Sequence, residues 1–149
     1  MPFTANIPYA SRYSFTIQKH MEDYSTPDDT FHVKVTDADG NVVTGAQYYV
    51  HTIGEGAGET QAMPESGVIG LKADQEIVIL DVALGATFKV EEVDEDGSAF
   101  TSDEFKDPQY SVQTVDGTTE PSTDPVTVTI EHGDGEKVSY IAHVINAYQ

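Results

Sequence analysis

Residues 13–21 read YSFTIQKHM, with Phe15, Ile17, Lys19 and Met21 at one set of alternate positions and Thr16, Gln18 and His20 at the other. Successive side chains of a strand point to opposite sides of a sheet, so a period of two with one apolar series marks a half-buried β-strand. One member of this apolar series is a lysine. The pattern returns twice with the same kind of exception. In residues 86–93, ATFKVEEV, the residues Phe88, Val90 and Glu92 share a face while Lys89 and Glu91 point the other way. In residues 137–149, KVSYIAHVINAYQ, the series Val138, Tyr140, Ala142, Val144, Asn146 and Tyr148 falls on one side, and Ile141 and Ile145 make the other side partly apolar. Lys19, Glu92 and Asn146 are polar residues on the apolar stripes of an early, a middle and a late strand.

The same alternation predicts strands over 14–21, 31–36, 47–52, 68–71, 76–80, 87–93, 110–114, 126–131 and 137–147. Between them lie turns rich in Gly, Asp and Pro, and no segment sustains a helical period. The fold class that follows is all-β, an immunoglobulin-like β-sandwich of two packed antiparallel sheets. With 149 residues the chain is long enough for a proper core and reads as one domain over 14–149, with 1–13 as a leading segment or linker. The stretch IGEGAGETQAMPESG, residues 53–67, is small and polar throughout and reads as a mobile surface loop; VDGTTEPSTDP, residues 115–125, separates two late strands.

The formal net charge is -19, and the acidic residues crowd into turn segments such as EDYSTPDD, EVDEDG and EHGDGE. Such a surface repels phosphate, which argues against nucleic acid and anionic membrane as partners. No run of 18 apolar residues and no cleavable signal segment occurs, so a surface protein would carry its signal peptide and wall anchor elsewhere. Cysteine is absent, and a different covalent staple would have to do the work of a disulfide.

The three polar residues supply the chemistry for one. Burial disfavours charge, lowering the pKa of a lysine and raising that of a glutamate. The neutral amine is then a nucleophile. A protonated glutamate can donate a hydrogen bond to the carboxamide of an asparagine and pass protons to the departing ammonia. The product is a Lys–Asn isopeptide bond, made once per molecule without cofactor, metal or second substrate. Each residue alone has an ordinary reading: a lysine stem can snorkel along apolar surface, a glutamate can belong to an acidic loop, and an asparagine near a chain end can cap a turn. Their joint occurrence on three apolar faces is what points to the bond.

The segments that carry these residues resemble the isopeptide-forming B-type domains of Gram-positive surface adhesins and pilins, the collagen-adhesin B-type family, and in detail its FctA-like pilin branch. The resemblance runs through FTIQK, FHVKVTDADGNVVTG, GVIGLKADQEIVIL, VALGATFKVEE and the closing HVINAYQ. It implies that Lys19 is the nucleophile, Glu92 the catalytic, proton-shuttling acid, and Asn146 the electrophile of the cross-link. It further implies a structural stalk or shaft module, at the cell surface and anchored to the wall through its parent protein. The partners implied are neighbouring domains of that protein and a host ligand, with the isolated domain a monomer and not an enzyme in the turnover sense. Departures are the missing proline in VALG, Phe88 where the family has Tyr, and HMEDYSTPDD in place of an early Gly after the lysine. None touches the three reacting positions. The alternative function is a ligand-binding adhesin domain that recognises a host protein or glycan through the 53–67 loop, although that loop has no Trp and one bulky side chain, Met63.

Other chemistry finds less support. DADG and DEDG suggest calcium loops, but aligning Gly40 with the loop glycine puts Val35 at the first ligand position and Ala46 where a bidentate Glu belongs, so tight Asp-Gly turns are the better reading. His20, His32, His51, His132 and His143 show no metal-ligand spacing. No GxSxG elbow and no phosphate-cradling glycine motif is present, and the reading includes neither metal nor cofactor.

Overall fold

In the computed structural model, residues 12–114, 117–131 and 140–149 are described. Eleven strands follow one another: β1 (Arg12–Met21), β2 (Phe31–Thr36), β3 (Gln47–Thr52), β4 (Gln61–Ala62), β5 (Val68–Leu71), β6 (Gln75–Ala83), β7 (Thr87–Val93), β8 (Gln109–Thr114), β9 (Gly117–Thr118), β10 (Val126–Thr129) and β11 (Tyr140–Asn146). They form a seven-stranded sheet in the order β4-β3-β6-β1-β11-β8-β9 and a four-stranded sheet in the order β10-β7-β2-β5. The molecule is the all-β sandwich expected from the alternation. No helix among the described residues is long and apolar enough to cross a membrane.

The expectation of two purely antiparallel sheets is corrected by one pair of strands. β1 and β11 run parallel at the centre of the large sheet, with Phe15 opposite Tyr140, Lys19 opposite Val144 and Met21 opposite Asn146. A period of two reports which face a residue occupies, not the direction of its neighbour.

The core lies between the sheets. Phe15 of β1 stacks on Phe88 of β7 with ring centres 4.9 Å apart and planes 10° from parallel, which locks one sheet to the other. Ile17, Ile77, Ile79, Ala142 and Val144 from the large sheet meet Val33, Val35, Val90 and Val128 from the small one. Full burial of each large aliphatic or aromatic side chain contributes about 1.5–3 kcal/mol, and the stripes read from the sequence are the stripes that do this. A second cluster of Met21, Phe31, Ala73 and Phe105 closes one end of the sandwich.

The 53–67 segment differs from its expected form. Residues 61–62 pair with β3, and Met63 is buried in the core. Met63 is therefore withdrawn from any ligand, and Ile53 is the large apolar side chain that the segment leaves exposed. The two Asp-Gly turns do form: Gly40 has φ +84° and its N–H donates to the Asp37 carbonyl, while Gly97 has φ +86° and donates to the Asp94 carbonyl. Asp37 Oδ1 accepts from the N–H groups of Asp39 and Asn41, so its side chain serves its own turn. The expected leading segment falls mostly in residues 1–11, and the start of the expected last strand and His132 fall in 132–139; these lie outside the described residues.

Candidate functional site

Lys19, Glu92 and Asn146 meet. Lys19 and Asn146 lie on the adjacent parallel strands β1 and β11, on the side that faces the core, and Glu92 reaches them from β7 of the opposite sheet. Glu92 comes to this spot because β7 pairs with β2 in a register that sets Glu92 opposite Val33, a fully buried position, and turns Glu91 outward opposite Lys34. Relative exposure is 0% for Lys19, 2% for Glu92 and 0% for Asn146.

The carboxyl group stands between the other two. Asn146 Nδ2 donates to Glu92 Oε2 at 2.8 Å, and Lys19 Nζ lies 3.8 Å from Glu92 Oε1. At 3.8 Å the amine is beyond hydrogen-bond range of the carboxylate and donates instead to the His20 carbonyl at 3.0 Å. Glu92 Oε1 and Asn146 Oδ1 accept no hydrogen bond. Buried acceptors without partners each cost on the order of 1–3 kcal/mol, and a buried ion pair is sustained only by excellent geometry. As a resting ion pair this cluster is poorly built.

Burial shifts the protons toward the uncharged forms. It pushes the Glu92 carboxyl up to about 7, against the opposing pull of the Lys19 charge and the Asn146 hydrogen bond. It pulls the Lys19 ammonium down to about 8, against the attraction of Glu92. A proton passed from the amine to the carboxylate leaves two neutral groups, which a site closed to water favours.

Two contacts were not visible in the sequence pattern. Tyr110 of β8, buried beneath the site, has a hydroxyl that accepts the Glu92 backbone N–H at 2.8 Å, so it fixes the strand that carries the acid. Its sequence signal is weak: a tyrosine on a buried strand face needs a partner for its hydroxyl, but nothing local says which. Phe31 places its ring centre 4.2 Å from Lys19 Nζ. That ring packs edge-on against Phe105, which in turn lies against Tyr148, and the aromatic stack shields the amine. The chain end holds the stack in place, for Lys106 N–H donates to the Ala147 carbonyl and Gln149 N–H to the Glu104 carbonyl.

Comparison with known proteins gives a family and a fold. A family model described as a domain of unknown function (DUF7601) matches residues 13–147, and the chain belongs to that family. No curated protein matches it. Among solved structures it is similar to the major pilin protein (T-13) of Streptococcus pyogenes, with a TM-score of 0.57 and 11% identity over 93% of this chain and 46% of the pilin. The T3.2 major pilin of the same organism gives 0.57 and 15% identity over the same shares, 93% and 46%. The pilus-presented adhesin Cpa gives 0.50 and 13% over 92% of this chain and 27% of the adhesin. The chain thus spans about half the length of the pilins, and the likeness is one of fold.

Proposed function

We propose that this member of the family is a shaft module of a Gram-positive surface protein or pilus, stiffened by an autocatalytic isopeptide bond between Lys19 and Asn146. The observation that carries the reading is the Glu92 carboxyl hydrogen-bonded to a buried carboxamide and 3.8 Å from a buried amine, in a cluster that satisfies itself poorly as an ion pair. The pilin-like fold supports the cellular setting, outside the cell and joined in series to neighbouring domains of its parent protein. The expected boundary, with 14–149 as the folded module, belongs to the same proposal.

The step balances without a co-reactant. Neutral Lys19 Nζ attacks Asn146 Cγ while protonated Glu92 donates to the carboxamide. The Cγ–Nδ2 bond then breaks, Glu92 having taken a proton from the attacking nitrogen and delivered one to the leaving nitrogen. Ammonia departs and Glu92 ends protonated, as it began. Pre-positioning of the groups replaces a bimolecular encounter, and the neutral acid beside the carboxamide stabilises charge where it develops.

The location of the bond gives it mechanical meaning. Tension entering β1 at residue 12 runs to Lys19, crosses the bond to Asn146 at the end of β11, and leaves through the chain end. The hydrogen-bonded strands between residues 20 and 145 are bypassed. The direct test is intact mass. The folded chain is expected to weigh one ammonia less than its sequence, and Lys19→Ala to weigh its full calculated mass. An unmodified mass for the folded wild type overturns the reading.

The rate of bond formation should be bell-shaped in pH. The reacting combination is a neutral amine with a neutral acid. As pH falls, Lys19 takes a proton and stops being a nucleophile; as pH rises, Glu92 loses its proton and stops being an acid. With pair values near 7 and 8, the rate should peak between about pH 7 and 8 and fall on both sides. Chain purified under denaturing conditions before the bond has formed, then folded at a series of pH values and weighed at intervals, gives the profile. A rate that keeps climbing to pH 10 would mean that Glu92 does not act as the acid.

A further inference from the structure

On the outer face of the large sheet, directly behind Lys19 and Asn146, polar side chains of five neighbouring strands form one continuous ladder. His51 Nε2 meets Glu76 Oε2 at 2.7 Å, and Gln18 Nε2 donates to Glu76 Oε1 at 2.9 Å. Gln18 Oε1 and His143 Nδ1 both face His20 Nε2, at 3.0 and 3.1 Å. His143 Nε2 lies 2.8 Å from Gln113 Oε1.

Donor and acceptor rules orient the central part. The Gln18 amide nitrogen is committed to the Glu76 carboxylate, so its oxygen must face His20. The Gln113 amide oxygen can only accept, so His143 carries its proton on Nε2 and turns the bare Nδ1 toward His20. Three electron-pair donors therefore converge: Gln18 Oε1, His143 Nδ1 and, in its other tautomer, His20 Nε2. Without an ion between them, one His20 proton has to serve two acceptors.

We propose that His20 and His143, together with the Gln18 amide oxygen, form a surface site for a divalent cation of the zinc class. The spacing fits. Two imidazoles bound at about 2.0–2.1 Å to one tetrahedral ion hold their ligating nitrogens about 3.3 Å apart and their ring centres about 5 Å apart. Here the nitrogens are 3.1 Å and the ring centres 5.1 Å apart. The ion would take the place of the shared His20 proton, with water completing the coordination on the solvent side. Gln113 does for His143 what outer partners of metal-bound histidines do, fixing tautomer and ring orientation. Glu76, bonded to Gln18, adds negative charge nearby. Among the described residues no three His, Cys, Asp or Glu side chains converge on a metal position, and the site depends on the amide oxygen as its third donor.

The two histidines are 123 residues apart and come together only because β1 and β11 are neighbours. A bound ion would clasp the same two strands that the proposed isopeptide bond joins, from the opposite face of the sheet.

Titration of the intact chain with zinc chloride alone, followed by calorimetry, tests the site. One saturable equivalent is expected, with affinity reduced at least tenfold in His20→Ala and in His143→Ala, and about tenfold in Gln113→Leu, which keeps both ligands but frees the tautomer. Copper(II) serves as a probe that needs no variant: its paramagnetic resonance should show coupling to two imidazole nitrogens. Absence of saturable binding, binding unchanged in both histidine variants, or a copper spectrum with oxygen ligands alone would each overturn the proposal, the last two by assigning the ion to the acidic loops.

Discussion

Lys19→Ala or Asn146→Ala should lower the melting temperature by about 15–20 °C, read by calorimetry at neutral pH. Cross-linking residues 19 and 146 closes nearly the whole domain into one loop, and on the chain-entropy view this constrains the unfolded state by about 5 kcal/mol. For a domain of this size, each kcal/mol moves the midpoint by roughly 3–4 °C. The single variants also carry a packing loss, because removing Lys19 strands the buried Glu92 carboxyl and removing Asn146 takes away its hydrogen-bond partner. Glu92→Gln separates the two effects. It keeps the volume at that position but cannot act as a neutral acid, so it should lack the bond and still melt about 15 °C lower. A bond-free Glu92→Gln chain that melts within a degree or two of wild type would leave the cross-link without a stabilising role.

The parts of the fold legible in the sequence were those governed by local alternation. The strands expected over 31–36, 47–52, 68–71 and 87–93 have the bounds observed for β2, β3, β5 and β7. β2, β5 and β7 each bury one apolar series, β3 buries Tyr48 with Val50 partly covered, and the period of two follows from strand geometry alone. β4 and β9 were missed because each has two exposed residues at a sheet edge and no apolar face to leave a trace. The end of β6 extends past the expected 76–80 to Ala83, through Asp81, because its backbone pairs with the start of β1. Pairing of that kind is a long-range event that composition does not record.

The candidate site divides the same way. Each of its three polar side chains could be placed on an inward face, since Lys19, Glu92 and Asn146 break stripes that are otherwise apolar. What surrounds them was illegible. Tyr110 reaches Glu92 from the other sheet, and Phe31 lies against Lys19 although 12 residues separate them along the chain. The His20–His143 contact escaped a search for ligand spacing because the parallel pairing of β1 with β11 creates it. Inward or outward direction is written in a strand's own residues; the partner is written in the topology.

The sharpest test of that inward direction compares two adjacent glutamates. Glu92→Ala should fold into the same sandwich and show no loss of ammonia, whereas Glu91→Ala should react as wild type does. Glu92 is buried with its carboxyl against Asn146 and near Lys19, while Glu91 is only partly buried and sits opposite Lys34 on the other side of the sheet. A single-residue slip of β7 would exchange the two faces, and with them the outcomes. Tyr110→Phe adds a graded case. It removes the hydroxyl that accepts the Glu92 N–H but leaves the acid in place, so the bond should form more slowly and still reach completion. Because general acid catalysis contributes on the order of 10²–10⁴ in rate, intact mass at a fixed time after folding should separate the variants cleanly. Equal reaction in Glu91→Ala and Glu92→Ala would show that the acid is another group. The buried carboxyl would then be only a hydrogen-bond acceptor for Asn146, and the pH profile would lose its descending limb.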